Sequence, residues 1–165
     1  MKKILILITI LAGLTLAEAQ SNFTVSINGA QETPPSGSPG IGSGTLTLNV
    51  GNTLSYNVGY SGLTSAFSAA HIHGPAAPGV AAGILFSLNN TPITTTSGTL
   101  SGTTVALNPA QVTDLQSSLF YVNIHSGQFP GGEIRGQILP VPEPSTLALA
   151  GVGIGALFFG LRRKG

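Results

Sequence analysis

The sequence predicts an all-β fold: an antiparallel β-sandwich of Greek-key or immunoglobulin-like type, with seven to nine short strands and one short helix. Three observations carry that expectation. Apolar and polar residues alternate with a period of two in several separate runs, the signature of half-buried strands. The 23 glycines and 11 prolines fall mostly between those runs, where turns are needed. The clearest run of all, residues 119–139, reads as a complete hairpin.

In that hairpin Val122 and Ile124 alternate with Tyr121, Asn123 and His125, and Ile134 and Ile138 alternate with Glu133, Arg135 and Gln137. Gly127, Pro130, Gly131 and Gly132 between the two runs supply the backbone freedom and the fixed φ of a chain reversal. One face is therefore branched and aliphatic. The other gathers a polar set in which Tyr121, Asn123, Glu133 and Arg135 accompany His125.

Taken from the start, Met1-Lys2-Lys3, an apolar stretch and Ala17-Glu18-Ala19 form a secretory signal over residues 1–19, with cleavage expected after Ala19. Phe23, Val25 and Ile27 then alternate with Thr24, Ser26 and Asn28 as a strand, and the glycines and prolines of 29–44 predict a long loop. Leu46, Leu48 and Val50, followed by Leu54, Tyr56, Val58 and Tyr60, predict two strands joined by a two-residue Gly51-Asn52 turn. His71 and His73 share one face of a strand that Gly74-Pro75 ends. A short strand is expected over 82–88, and one or two weaker Thr-rich strands over 93–105. Asn108 as N-cap, Pro109 at the first helical position and Gln111 at the third open a short helix, with Val112, Leu115 and Leu119 along one face.

Beyond Leu139 the prolines of Pro140-Val141-Pro142-Glu143-Pro144 stop the sheet, because proline lacks the donor a ladder needs. An apolar run over 147–161 follows and ends in Arg162-Arg163-Lys164. As a helix it would be about 22 Å long against a hydrocarbon core of about 30 Å, a marginal membrane span. The basic cluster would stay in the cytoplasm and leave the domain outside. The chain thus divides into a signal (1–19), a single β domain (20–140) and a C-terminal sorting segment (141–165).

The formal charge of +1 belongs to the ends, since five of the six basic residues are Lys2, Lys3, Arg162, Arg163 and Lys164. Between residues 21 and 140 the charged residues are Glu32, Asp114, Glu133 and Arg135, a net of −2. One arginine and no lysine exclude a nucleic-acid binder, which needs a basic groove to neutralise phosphates. With no cysteine, disulfides and thiolate metal sites are also excluded.

Residues 141–165 resemble a PEP-CTERM protein-sorting signal in the motif Pro142-Glu143-Pro144, the short apolar run and the basic end. The resemblance implies export across the inner membrane of a bacterium with an outer membrane. It also implies membrane association through the C-terminal helix, and recognition and cutting by an exosortase-type transpeptidase. Proteins of that setting go with the cell envelope, extracellular polysaccharide and biofilm matrix. The body, residues 22–139, resembles the CHRD domain in His71-Ile72-His73-Gly74-Pro75-Ala76, in Tyr121-Val122-Asn123-Ile124-His125 and in Gly132-Glu133-Ile134-Arg135-Gly136-Gln137. That likeness implies no particular activity.

Two readings of the polar residues compete. Histidines two apart on a strand, with a third on another, have the arrangement of a three-imidazole metal site, so His71, His73 and His125 are candidate ligands for zinc or copper. Alternatively they form a structural network with Glu133, Tyr121 or backbone, in which Arg135 pairs with Glu133. The His71-Ile72-His73 triplet is also similar to the copper-binding histidines of Cu/Zn superoxide dismutase, over three residues only. A dinuclear dismutase site needs more histidines and an aspartate, and dismutase activity is not expected. Nor is other catalysis: no pair of carboxylates is spaced for glycoside hydrolysis, and no G-x-S-x-G nucleophile elbow occurs. The expected role is a non-catalytic envelope or matrix protein without a cofactor that binds matrix polysaccharide or protein, with metal binding at the three histidines as the alternative.

Overall fold

The computed structural model describes residues 20–88 and 95–142. The signal segment 1–19, the first two residues of the Thr-rich run 93–105, and residues 143–165 with Glu143, Pro144 and the apolar run lie outside the described residues. Within them the chain forms β1 (Ser21–Asn28), β2 (Ile41–Leu48), β3 (Leu54–Ser61), β4 (Phe67–His73), β5 (Ile84–Ser87), β6 (Gly98–Thr103), α1 (Pro109–Gln116), β7 (Tyr121–Ser126) and β8 (Ile134–Pro140). A single turn of 3-10 helix, Gly29–Gln31, follows β1.

All eight strands belong to one antiparallel sheet in the order β5-β4-β7-β8-β1-β2-β3-β6. The all-β antiparallel expectation holds, and the two layers are halves of one hydrogen-bonded sheet, because β8 pairs with both β7 and β1. The sheet curls until its distant parts touch. Tyr60 of β3 stacks on Phe67 of β4 with ring centroids 5.4 Å apart, although four strands lie between them in the sheet. Leu63 and Phe67 N–H groups donate to Thr96 and Thr95 carbonyls at 3.0 and 3.1 Å, tying the connection between β3 and β4 to the approach of β6. The inward residues of the curl, among them Phe23, Ile27, Leu46, Val58, Ile72 and Ile124, merge into one core.

The curl explains where the strand expectations need correction. The expected loop over 29–44 is too long, because Ile41–Gly44 already pairs with Asn28–Val25 of β1. Its last two glycines, Gly42 and Gly44, are strand residues at close approaches rather than turn formers. A Cβ on Gly44 would strike the Asn57 carbonyl oxygen and would lie 2.7 Å from Val58 Cα of β3. Gly136 plays the same part where β8 meets β1, since a Cβ there would overlap the Ser26 carbonyl and lie 3.0 Å from Ile27 Cγ1. Glycine inside a strand commonly marks such a corner.

Smaller corrections follow from local geometry. The turn between β2 and β3 holds three residues, because Asn49 N–H reaches Thr53 O at 2.9 Å, and both Gly51 and Asn52 take positive φ (84° and 62°). Val50 therefore sits exposed in the turn, outside the strand expected to contain it. The strand expected over 82–88 is confined to Ile84–Ser87. The helix starts as expected, with Asn108 Oδ1 accepting from Gln111 N–H at 3.0 Å and Gln111 Oε1 accepting from Asn108 N–H at 2.9 Å. Leu115 is its buried anchor, whereas Leu119 lies beyond its end and Phe120 fills the core in its place.

Replacing Gly136 by alanine should lower stability by about 1–3 kcal/mol, because the added methyl meets backbone that the sheet cannot move cheaply. Urea denaturation of the two proteins checks it; equal midpoints would mean the corner is not a tight one.

Candidate metal centre

On β4, β7 and β8 the apolar residues turn into the core and the polar residues turn outward, as period-two alternation requires. Pairing across the three strands sets His71, Asn123 and Arg135 in one row and His73, Tyr121 and Gln137 in the next. This outer face is covered. All six residues of β7 are buried, so the strand is shielded on both sides. The cover comes from three connections: 29–40 after β1, 74–83 after β4, and 127–133 after β7.

Two of the covering segments, 74–83 and 127–133, are pinned by the face beneath them. Tyr121 Oη accepts from Ala82 N–H at 3.0 Å, and Gln137 Nε2 donates to the Ala76 and Ser118 carbonyls at 2.8 and 2.7 Å. His73 Nδ1 lies 2.9 Å from Ala82 O and His125 Nδ1 lies 3.0 Å from Pro130 O. A carbonyl can only accept, so in both rings Nδ1 carries the proton and the lone pair is on Nε2. The two Nε2 atoms turn toward His71, whose Nδ1–H donates to His125 Nε2 at 3.0 Å, so an ion bound among the three rings would displace that proton to His71 Nε2. Among the described residues, the ligand atoms of His71, His73 and His125 all lie within 4.8 Å of one another. His73 Nε2 is buried without a hydrogen-bond partner.

The surroundings keep these rings neutral. Burial lowers the pKa of His71, with the neighbouring His73 adding to the effect. Burial also lowers that of His73; the bond to Ala82 O opposes it and the Arg135 charge reinforces it. Burial pushes His125 down to about 4 against the pull of the Pro130 carbonyl, and the two other histidines push the same way. A neutral imidazole is the form that binds a metal, and a partner fixing its second nitrogen is the usual support of such a ligand. At neutral pH the three rings can therefore act together as nitrogen donors.

The remaining residues of the expected polar face are placed differently. Tyr121 stacks on His73, with ring centroids 5.0 Å apart and planes 11° from parallel, and the guanidinium carbon of Arg135 lies 3.4 Å from the Tyr121 centroid. Asn123 lies in the histidine row, its Oδ1 buried without a hydrogen-bond partner. Glu133 does not join this face. Its carboxylate accepts from Ser38 Oγ and Thr64 N–H, each at 2.6 Å. Burial opposes its charge, but hydrogen bonds including those from Ser126, Ser38 and Thr64 outweigh it and hold the group below the usual carboxylate range. It precedes β8, one residue outside the strand from whose alternation its place was read.

Glu32 stands nearer the site than the sequence indicates. A Cβ on Gly132 would meet the Asn123 amide at 2.5 and 2.6 Å and Glu32 Oε1 at 2.7 Å, so the carboxylate packs beside Asn123 over bare backbone. Burial raises its pKa, and the Arg135 charge opposes that rise. Glu32 belongs to a glycine- and proline-rich loop with no periodicity, and nothing in its sequence context marks it.

Comparison with known proteins gives two matches: residues 23–138 match the CHRD domain, and residues 140–164 match the PEP-CTERM protein-sorting motif. No curated protein and no solved structure matches the chain.

The depressed His125 pKa predicts a pH dependence of stability. An unfolded histidine titrates near 6.5 and the folded one near 4, so between those values the unfolded chain binds more protons. The stability contributed by the neutral ring is whole above pH 6.5 and declines as pH falls toward 4. Urea midpoints measured from pH 7 to 4 should decline, and the decline should be shallower in His125→Gln; equal slopes in the two proteins would contradict the assignment.

Proposed function

The chain belongs to the CHRD domain family and ends in a PEP-CTERM protein-sorting motif, and from that premise we propose a non-catalytic envelope protein whose exported domain binds zinc or copper through His71, His73 and His125. The sorting motif implies export, recognition by an exosortase and sorting to the surface of a Gram-negative bacterium. The observation that carries the metal reading is the fixed orientation of His73 and His125. Both hydrogen-bond a backbone carbonyl through Nδ1, and both offer Nε2 to the same small volume. A purely structural network gives the histidines polar partners on both nitrogens. Here His125 has them, but His73 Nε2 has none.

Calorimetry on the exported protein, purified without added affinity histidines, tests the reading. Titration with zinc or with copper should release a saturable one-to-one heat that is lost in the triple His71→Ala, His73→Ala, His125→Ala variant. A folded wild type that gives no such heat would end the proposal.

A second reading, binding of a matrix polysaccharide, is favoured by a groove across β1, β2, β3 and β6. It has a volume of about 570 Å³, and its lining includes Ser26, Asn28, Ser43, Ser61 and Thr99 with no charged residue. Hydroxyl and amide groups of this kind suit a neutral sugar chain, whose hydroxyls donate and accept alike. Retention on immobilised matrix polysaccharide should drop when Ser43 and Thr99 are replaced by glutamate; unchanged retention would remove the groove from consideration.

A further inference from the structure

The three-histidine centre has features that discriminate among metal ions, and they concern charge and coordination number. The donors are three neutral imidazole nitrogens. Among the described residues no carboxylate joins the cluster, because Glu133 is held by Ser38 and Thr64 and Glu32 packs beside Asn123 and Gly132. The chain has no cysteine. Any ion placed here must keep its full charge.

That charge would stand beside another. Arg135 is 2% exposed, its Nη2 has no hydrogen-bond partner, and its guanidinium lies on Tyr121, the ring that stacks on His73; its nearby counter-charge is the Glu32 carboxylate, whose own pKa burial raises. Repulsion between an ion and a buried guanidinium scales with the ion's charge, so a dication experiences twice the penalty of a monocation at the same distance. Burial adds a desolvation cost that grows more steeply still with charge.

Space acts in the same direction. Zinc held by three protein ligands completes its tetrahedron with a water, and Cu(II) favours four or more donors in a tetragonal arrangement. Here His73 and His125 are 8% and 7% exposed, and His73 Nε2 itself presents less than 1 Å². The cover built from Ala82 and Pro130 is tied to the same two rings, so on their side a fourth donor enters only by lifting it, and the part-buried His71 marks the one side left open among the described residues. Cu(I), a closed-shell monocation, is content with three nitrogens and no water.

We infer that the centre holds copper as Cu(I), three-coordinate through His71 Nδ1, His73 Nε2 and His125 Nε2, with Arg135 as the residue that disfavours divalent ions. This rests on the reading of the histidines as a metal site and adds the identity and oxidation state of the ion. Arg135 acts through charge and makes no bond to the metal.

The experiment is a three-way competition on the exported protein: Cu(I) under anaerobic ascorbate against bicinchoninate, and Cu(II) and zinc in separate titrations against indicators of matched affinity. Cu(I) should bind at least about a hundredfold tighter than either divalent ion, and X-ray absorption should report three nitrogen neighbours. In Arg135→Met the preference should narrow by about tenfold or more through tighter zinc and Cu(II) binding, whereas Arg135→Lys, which keeps the charge, should retain it. Zinc or Cu(II) binding as tightly as Cu(I) to the wild type would overturn the inference while leaving the metal site standing. Failure of all three ions to bind would remove the site and the inference together. The wild-type comparison decides the matter even if Arg135→Met does not fold.

Discussion

Burial of β7 on both of its faces is the constraint from which the rest of the domain follows. Val122 and Ile124 enter the core on one side, and Tyr121, Asn123 and His125 are covered on the other. Polar groups taken out of water must find partners, at a cost of about 1–3 kcal/mol for each left without one. The partners here are backbone atoms of the covering loops: Ala82 for Tyr121 and His73, Pro130 for His125. The loops thus have fixed paths because the polar face holds them, and the histidines have fixed protons because the loops accept them.

Those bonds convert a cluster of side chains into directed donors. With Nδ1 committed, His73 and His125 each present Nε2, that of His125 to His71 Nδ1, and the direct antiparallel pairing of β4 with β7 brings His71 into the set. The glycines that permit the curl, Gly44 and Gly136, lie away from the histidines yet govern how closely neighbouring strands approach. Charge is scarce in the domain: its one arginine is buried against Tyr121, and the other basic residues lie in the first three residues of the chain and in the C-terminal sorting motif.

The hairpin of β7 and β8, the opening strand, the β2–β3 pair and the capped helix were all readable from residue order, because each depends on contacts within a few residues or across one turn. The histidine pair His71 and His73 was readable for the same reason, since two residues apart on a strand means one face. The path of 29–40 was not, and with it went Glu32. Glycine and proline there announce irregular backbone without saying where it goes. Glu133 was misplaced because alternation was extended one residue ahead of β8, where the chain is no longer strand and Ser38 and Thr64 hold the carboxylate.

By itself the sequence determined the all-β class, the C-terminal sorting motif, the lack of thiolate ligands and the three histidines that could meet. These follow from periodicity, composition and covalent order, which do not depend on distant contacts. Only the tertiary structure decided that the histidines do meet, which nitrogen each presents, and that Arg135 lies on Tyr121 rather than paired with Glu133. Those outcomes depend on the pairing of β4 with β7 and on loops laid over the sheet's outer face, and both are set by contacts between residues far apart in the chain.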